Sequence, residues 1–149
     1  MTNKTAVFLL LTAAAAPLSA ASNSAPMSIS VSVIARTILT IDSQPATIDV
    51  TSTDVARGYV DVPQAVLFRI RSNAANGYAI QFEPVSFPFT QADISWGSAL
   101  TTVTTDGTWM SRPYQQGMTA GTLNVRLTLA PGTEPGTYAW PVRFEAGSL

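Results

Sequence analysis

Period-two alternation of apolar and polar residues dominates the chain. Residues 27–34 read Met-Ser-Ile-Ser-Val-Ser-Val-Ile, which places Met27, Ile29, Val31 and Val33 on one face and three serines on the other. That is the pattern of a half-buried strand. A second apolar run at 38–41 follows Ala35-Arg36-Thr37 and stops at Asp42-Ser43-Gln44-Pro45, so the two together read as one long strand with a break. Ile48 and Val50 are in phase over 46–51. Residues 54–58 can close one helical turn, with Asp54 as its cap and Gly58 as its stop.

Residues 59–62 predict a short strand ended by Pro63. Beyond it, Val66, Phe68 and Ile70 alternate with Leu67, Arg69 and Arg71, and Tyr78, Ile80 and Phe82 alternate in turn. Asn76-Gly77 between the two runs predicts a hairpin. Arg69 and Arg71 sharing a face could mark an anion site, but such a pair is more often the wet face of an antiparallel strand. Phe87 and Phe89 sit in a Pro-bounded loop, either capping the core or forming a contact patch. Short strands are expected at 92–96, 99–105 and 108–111, the last entered through the Asp106-Gly107 turn, and a loop is expected at 112–121.

Leu123, Val125, Leu127 and Leu129 are in phase, as are Tyr138, Trp140, Val142 and Phe144 across a segment rich in proline and glycine. They predict a closing hairpin with one apolar face. Pro141 would point away from it and leave one side of the last strand weakly paired. About nine short strands and no amphipathic helix predict an all-β sandwich.

Composition narrows the function. Lys4, an apolar run at 6–16 and the small residues Ser19-Ala20-Ala21 form a signal-peptide pattern cut after Ala21. The apolar run is too short to span a bilayer. The expected organisation is a signal peptide at 1–21, an extension at 22–35 and one exported domain at 36–149. Lys4 is the sole lysine, and the seven arginines are scattered along the chain rather than clustered, so a nucleic-acid surface is not expected. There is no cysteine, so stability must come from the core or from partners.

With no histidine and no cysteine, the commonest general bases, nucleophiles and metal ligands are missing. Two of the carboxylates could in principle cleave a glycoside. Most of them, however, stand beside turns or on presumed wet faces. No calcium loop and no nucleophile elbow occurs, so neither catalytic residues, a metal nor a cofactor is expected. Trp96 and Trp109 could stack on sugars, although core packing is the commoner fate of such residues, and Trp140 is in phase with the core.

Three segments carry a resemblance. Residues 29–34 running on into Thr37-Ile38-Leu39-Thr40-Ile41, then Phe68-Arg69-Ile70-Arg71-Ser72-Asn73 with Asn76-Gly77-Tyr78-Ala79-Ile80, and finally Pro135-Gly136-Thr137-Tyr138-Ala139-Trp140-Pro141-Val142-Arg143-Phe144 together resemble the spore coat protein U-like domain. That family belongs with the subunits of archaic chaperone-usher pili. It usually carries one cysteine in the first strand and another in the central strand; here Arg36 or Thr37 and Ser72 stand at those positions.

The resemblance implies an incomplete, pilin-like immunoglobulin-like β-sandwich that lacks its last strand. A periplasmic chaperone would fill the gap first, and then, at an outer-membrane usher, the N-terminal extension of the next subunit. Met27, Ile29, Val31 and Val33 would be the donor side chains. Ile38, Ile41, Tyr138, Trp140, Val142 and Phe144 would line the acceptor groove. The product would be a surface fimbria-like assembly. The alternative is a self-complete monomeric binding module for a carbohydrate or other surface ligand, acting through Trp96, Trp109 or the Phe87 and Phe89 loop. In that case 27–34 would pair within its own chain.

Overall fold

A computed structural model of the chain describes residues 27–149. The chain divides into two units, Met1–Ser32 and Val33–Leu149. The expected signal peptide at 1–21, and residues 22–26 of the expected extension, lie outside the described residues. Residues 27–32 belong to no helix or strand and are exposed. The alternation there therefore does not make a strand, because a strand exists only as a member of a ladder and none is formed.

The second unit is all-β apart from one helical turn. Its elements are β1 (Thr37–Ser43), β2 (Thr47–Val50), α1 (Ser52–Arg57), β3 (Tyr59–Ser72), β4 (Tyr78–Phe82), β5 (Phe89–Trp96), β6 (Ala99–Val103), β7 (Thr108–Arg112), β8 (Met118–Leu129), β9 (Gly136–Ala139) and β10 (Phe144–Ser148). Every ladder is antiparallel. One sheet runs β1-β3-β8-β5-β6, a second β10-β4-β7, and β2 pairs with β9 in a separate ribbon. The inward residues of both larger sheets build one sandwich-like core, with Val66, Phe68, Ile70, Ile80, Phe82, Ile94, Leu123 and Leu127 almost fully buried.

Two expected hairpins are not formed. β3 and β4 lie in different sheets, so Asn76-Gly77 belongs to an arch that carries the chain across the core. Gly77 is needed there in any case: its φ is +93°, and a Cβ would stand 2.2 Å from the carbonyl oxygen of Arg112. The closing hairpin is likewise replaced. β8 stays in the large sheet, β9 pairs with β2, and β10 pairs with β4. The run from Tyr138 to Phe144 is one line of apolar phase broken into two strands by Trp140, Pro141 and Val142, all buried. Pro141 thus turns inward rather than away.

Smaller differences have local causes. Pro63 does not end its strand, because β3 absorbs it in an irregularity between Val62 and Val66, with Gln64 at φ 50°. The cap of α1 is Thr51, and Asp54 is the third residue of a capping box. Gly58 ends the helix in the left-handed region, as its position predicts. β8 begins at Met118, inside the expected loop. Phe89 is buried and Phe87 is 77% exposed, so only the first of these two phenylalanines caps the core.

Candidate interaction site at the β1 and β10 edges

β1 closes one side of the five-stranded sheet and β10 one side of the three-stranded sheet. Each pairs with a single neighbour, β3 and β4 respectively. The two edges meet at one end, where Thr37 Oγ1 lies 3.0 Å from Ser148 Oγ. They exchange no ladder, so among the described residues the outer backbone groups of both edges have no strand partner.

Period-two geometry decides which side chains face the mouth. On β1 these are Thr37, Leu39 and Ile41, opposite Ser72, Ile70 and Phe68. On β10 they are Phe144, Ala146 and Ser148. Leu39 and Ala146 are partly buried against the core, and Ile41 is 38% exposed. The mouth is therefore apolar at depth, with Leu39 and Ala146 against the core, and closed at one end by the hydroxyls of Thr37 and Ser148. Ile38 and Ile41, expected to line one groove, lie three residues apart in a strand and face opposite sides. Ile38 is 44% exposed on the outer face beside Arg71, and Leu39 takes the inner place.

Of the last-strand residues, Tyr138 lies in β9, Trp140 and Val142 lie between β9 and β10, and Phe144 opens β10. Trp140, Val142 and Phe144 are already buried in the core. Phe144 packs edge-on against Phe68, with centroids 5.7 Å apart, and tilted against Phe82 at 5.5 Å. The indole Nε1 of Trp140 is buried with no acceptor among the described residues. Tyr138 is half-buried against Phe89, and its hydroxyl donates to the Glu134 carbonyl at 2.7 Å. Met27, Ile29, Val31 and Val33, by contrast, are 75–85% exposed.

Asn73 holds the segment that enters β1. Its backbone N–H donates to the Arg36 carbonyl at 3.1 Å, its side-chain oxygen accepts from the Arg36 N–H, and its amide donates to the Ile34 carbonyl. A lone asparagine after an apolar strand gives no sequence signal for such a clamp beyond its taste for turns. On the outer face, the Arg69 guanidinium grips Asp42 and holds its carboxyl below the usual aspartate range. Asp42 in turn raises the Arg69 pKa. This pair ties β1 to β3, and among the described residues no strand pairs with the other edge of β1.

Other candidate residues lie elsewhere. Trp96 is buried, with Phe68 at 5.0 Å and the Arg112 guanidinium 4.2 Å above its ring. Trp109 is 64% exposed. Arg69 and Arg71 share the outer face, and Arg69 is engaged by Asp42. Among the described residues, no group of three or more acids could hold a metal ion. No known protein family, curated protein or solved structure matches the chain.

Proposed function

We propose that this chain is a structural, non-enzymatic subunit of a surface fimbria-like assembly that polymerises by strand donation. It would be a divergent relative of the spore coat protein U-like pilus subunits, with an immunoglobulin-like sandwich short of one strand. The observation that carries the reading is the coexistence of two things in one chain: neighbouring sheet edges on β1 and β10 with no ladder between them, and an exposed alternating segment with Met27, Ile29, Val31 and Val33 in phase. An unpaired edge is a template for an added strand. An exposed apolar row with period two can become a strand once a sheet edge is offered to it.

A donor strand would open the Thr37–Ser148 contact, take backbone bonds from the two edges and lay its apolar row over Leu39, Ile41 and Ala146. Four such side chains gain about 1.5–3 kcal/mol each on full burial, less the cost of ordering the segment. The contact is head-to-tail, so it propagates without closing. Before assembly, a periplasmic chaperone would cover the same edges, and an outer-membrane usher would mediate the exchange.

Deleting residues 22–34 tests the proposal. The truncated protein should keep its fold and its chaperone binding, lose polymerisation, and gain thermal stability when a synthetic peptide of residues 22–34 is added. Normal polymerisation of the truncated chain would end the proposal.

A further inference from the structure

Two open clefts lie on the outer faces of the sheets, and their polar groups differ in one respect. The first, about 580 Å³, lies over β3, β5 and β8 between Pro63 and Leu100. Its charged groups and Asn124 are already engaged. Arg126 donates to Asp61, Gln91 and Thr102 donate to Asp93, and the Asn124 side-chain oxygen accepts from the Gln64 N–H. A ligand there would have to displace bonds already made.

The second cleft, about 620 Å³, lies over β4 and β7 and is bounded by Trp109, Pro84 and the Asp106–Gly107 turn. Gln81 is directly opposite Trp109 in the β4–β7 ladder. The side chains of Gln81, Glu83 and Asp106 make no hydrogen bond or ion pair among the described residues, and no arginine lines the cleft. Next along the same face, Ala79 is paired with Gly147, so that stretch of the sheet carries only small residues, while Pro84 and Leu149 add apolar walls to the cleft beside the exposed indole.

That set of groups selects among ligand chemistries. An anion would meet two carboxylates with no cation to offset them. A purely aliphatic ligand would strip water from three polar side chains and give nothing back. A pyranose ring meets both demands: it has an apolar C–H face for the indole and a rim of hydroxyls. Carboxylates accept from hydroxyls, and an amide both donates and accepts. We infer that this cleft binds a neutral saccharide, with Trp109 stacked on the sugar ring and Gln81, Glu83 and Asp106 holding its hydroxyls. The site uses the outer face of the β10-β4-β7 sheet, so it stands whether or not the chain polymerises.

The test is titration of the purified full chain with cellotetraose, maltotetraose, mannotetraose and chitotetraose, followed by ligand-observed NMR and calorimetry. At least one should bind with a Kd of about 1 mM or tighter. Trp109→Ala should weaken that binding about tenfold or more, and Gln81→Ala by a smaller factor. Trp109→Phe, which keeps an aromatic face, should fall between wild type and Trp109→Ala, and guards against a folding defect in the alanine variant. Failure of every sugar to bind, binding that Trp109→Ala leaves unchanged, or tighter binding of choline than of any sugar would overturn the assignment.

Discussion

Thr37 and Ser72 are direct partners across the β1–β3 ladder, with their hydroxyl oxygens 2.9 Å apart. Thr37 also reaches Ser148 on β10, and Ser72 Oγ accepts from the Ala74 N–H at 3.1 Å. A short chain of hydroxyls thus joins the two sheets at the end of the mouth. Opposed residues of an antiparallel pair have Cα atoms about 4.5–5.5 Å apart, within the span of roughly 4.4–6.8 Å that a disulfide needs. The double substitution Thr37→Cys with Ser72→Cys should therefore cross-link on oxidation. Closing a loop of 35 residues' separation should stabilise the fold by about 3–4 kcal/mol in the chain-entropy account. Thiol titration and thermal melts with and without reductant check this, and thiols that stay free in oxidising buffer would mean that the β1 register is wrong.

Asp54 makes the fold acid-sensitive at α1. Its carboxylate accepts from the Thr51 hydroxyl at 2.6 Å, from the Thr51 N–H at 3.0 Å, and from Arg57. The Thr51 contacts, then Arg57, hold its pKa below the ordinary value of 3.8. A carboxyl depressed on folding contributes stability above its unfolded value and loses it as pH falls through the folded one. Asp54→Asn should cost about 1 kcal/mol at neutral pH, and its deficit should shrink at an acid pH below the ordinary value. Urea melts of both proteins at the two pH values measure the convergence; a deficit of equal size at both would assign the cost to something other than charge.

Gly121 and Phe68 should prove strongly coupled. They are partners in the β3–β8 ladder, and a Cβ on Gly121 would lie 2.2 Å from the Phe68 ring. That ring is nearly fully buried and packed edge-on against Trp96 and Phe144, so it has no space to yield. Gly121→Ala should destabilise by about 1–3 kcal/mol. Adding Phe68→Leu should recover part of the loss, giving a double-mutant coupling of about 1 kcal/mol. Independent, additive effects would show that the ring can move aside.

Most of the strands can be read directly from alternation, because a side chain's face is fixed by its place in a period of two. Pairing is a different matter. Asn76-Gly77 permits a tight reversal, yet the same left-handed glycine serves an arch between sheets, and only the burial of both Phe68 and Phe82 from opposite sides shows which one occurs. The in-phase row of Tyr138, Trp140, Val142 and Phe144 likewise hides a change of sheet at Pro141. At the mouth, Leu39 rather than Ile38 faces inward, which strict alternation from Ile41 already required. The Asn73 clamp and the Thr37, Ser72 and Ser148 hydroxyls were not legible, since each depends on residues distant in sequence that only the folded ladder brings together.

Strand donation makes a face-specific prediction for the extension. Ile29 and Val31 are 78% and 80% exposed, so Ile29→Asp and Val31→Asp should alter the stability of the unassembled domain by no more than about 0.5 kcal/mol. In an acceptor groove each aspartate would be buried without a partner at a cost of several kcal/mol, so both variants should fail to polymerise. Ser30→Asp and Ser32→Asp carry the same charge on the opposite face of the same strand. These should assemble, because alternate side chains of a donor strand point out of the groove. Thermal melts of the monomer and sedimentation of assembled material separate the two effects. Serine variants as damaging as the apolar ones would point to charge alone, and apolar variants that polymerise normally would remove Met27, Ile29, Val31 and Val33 from the contact.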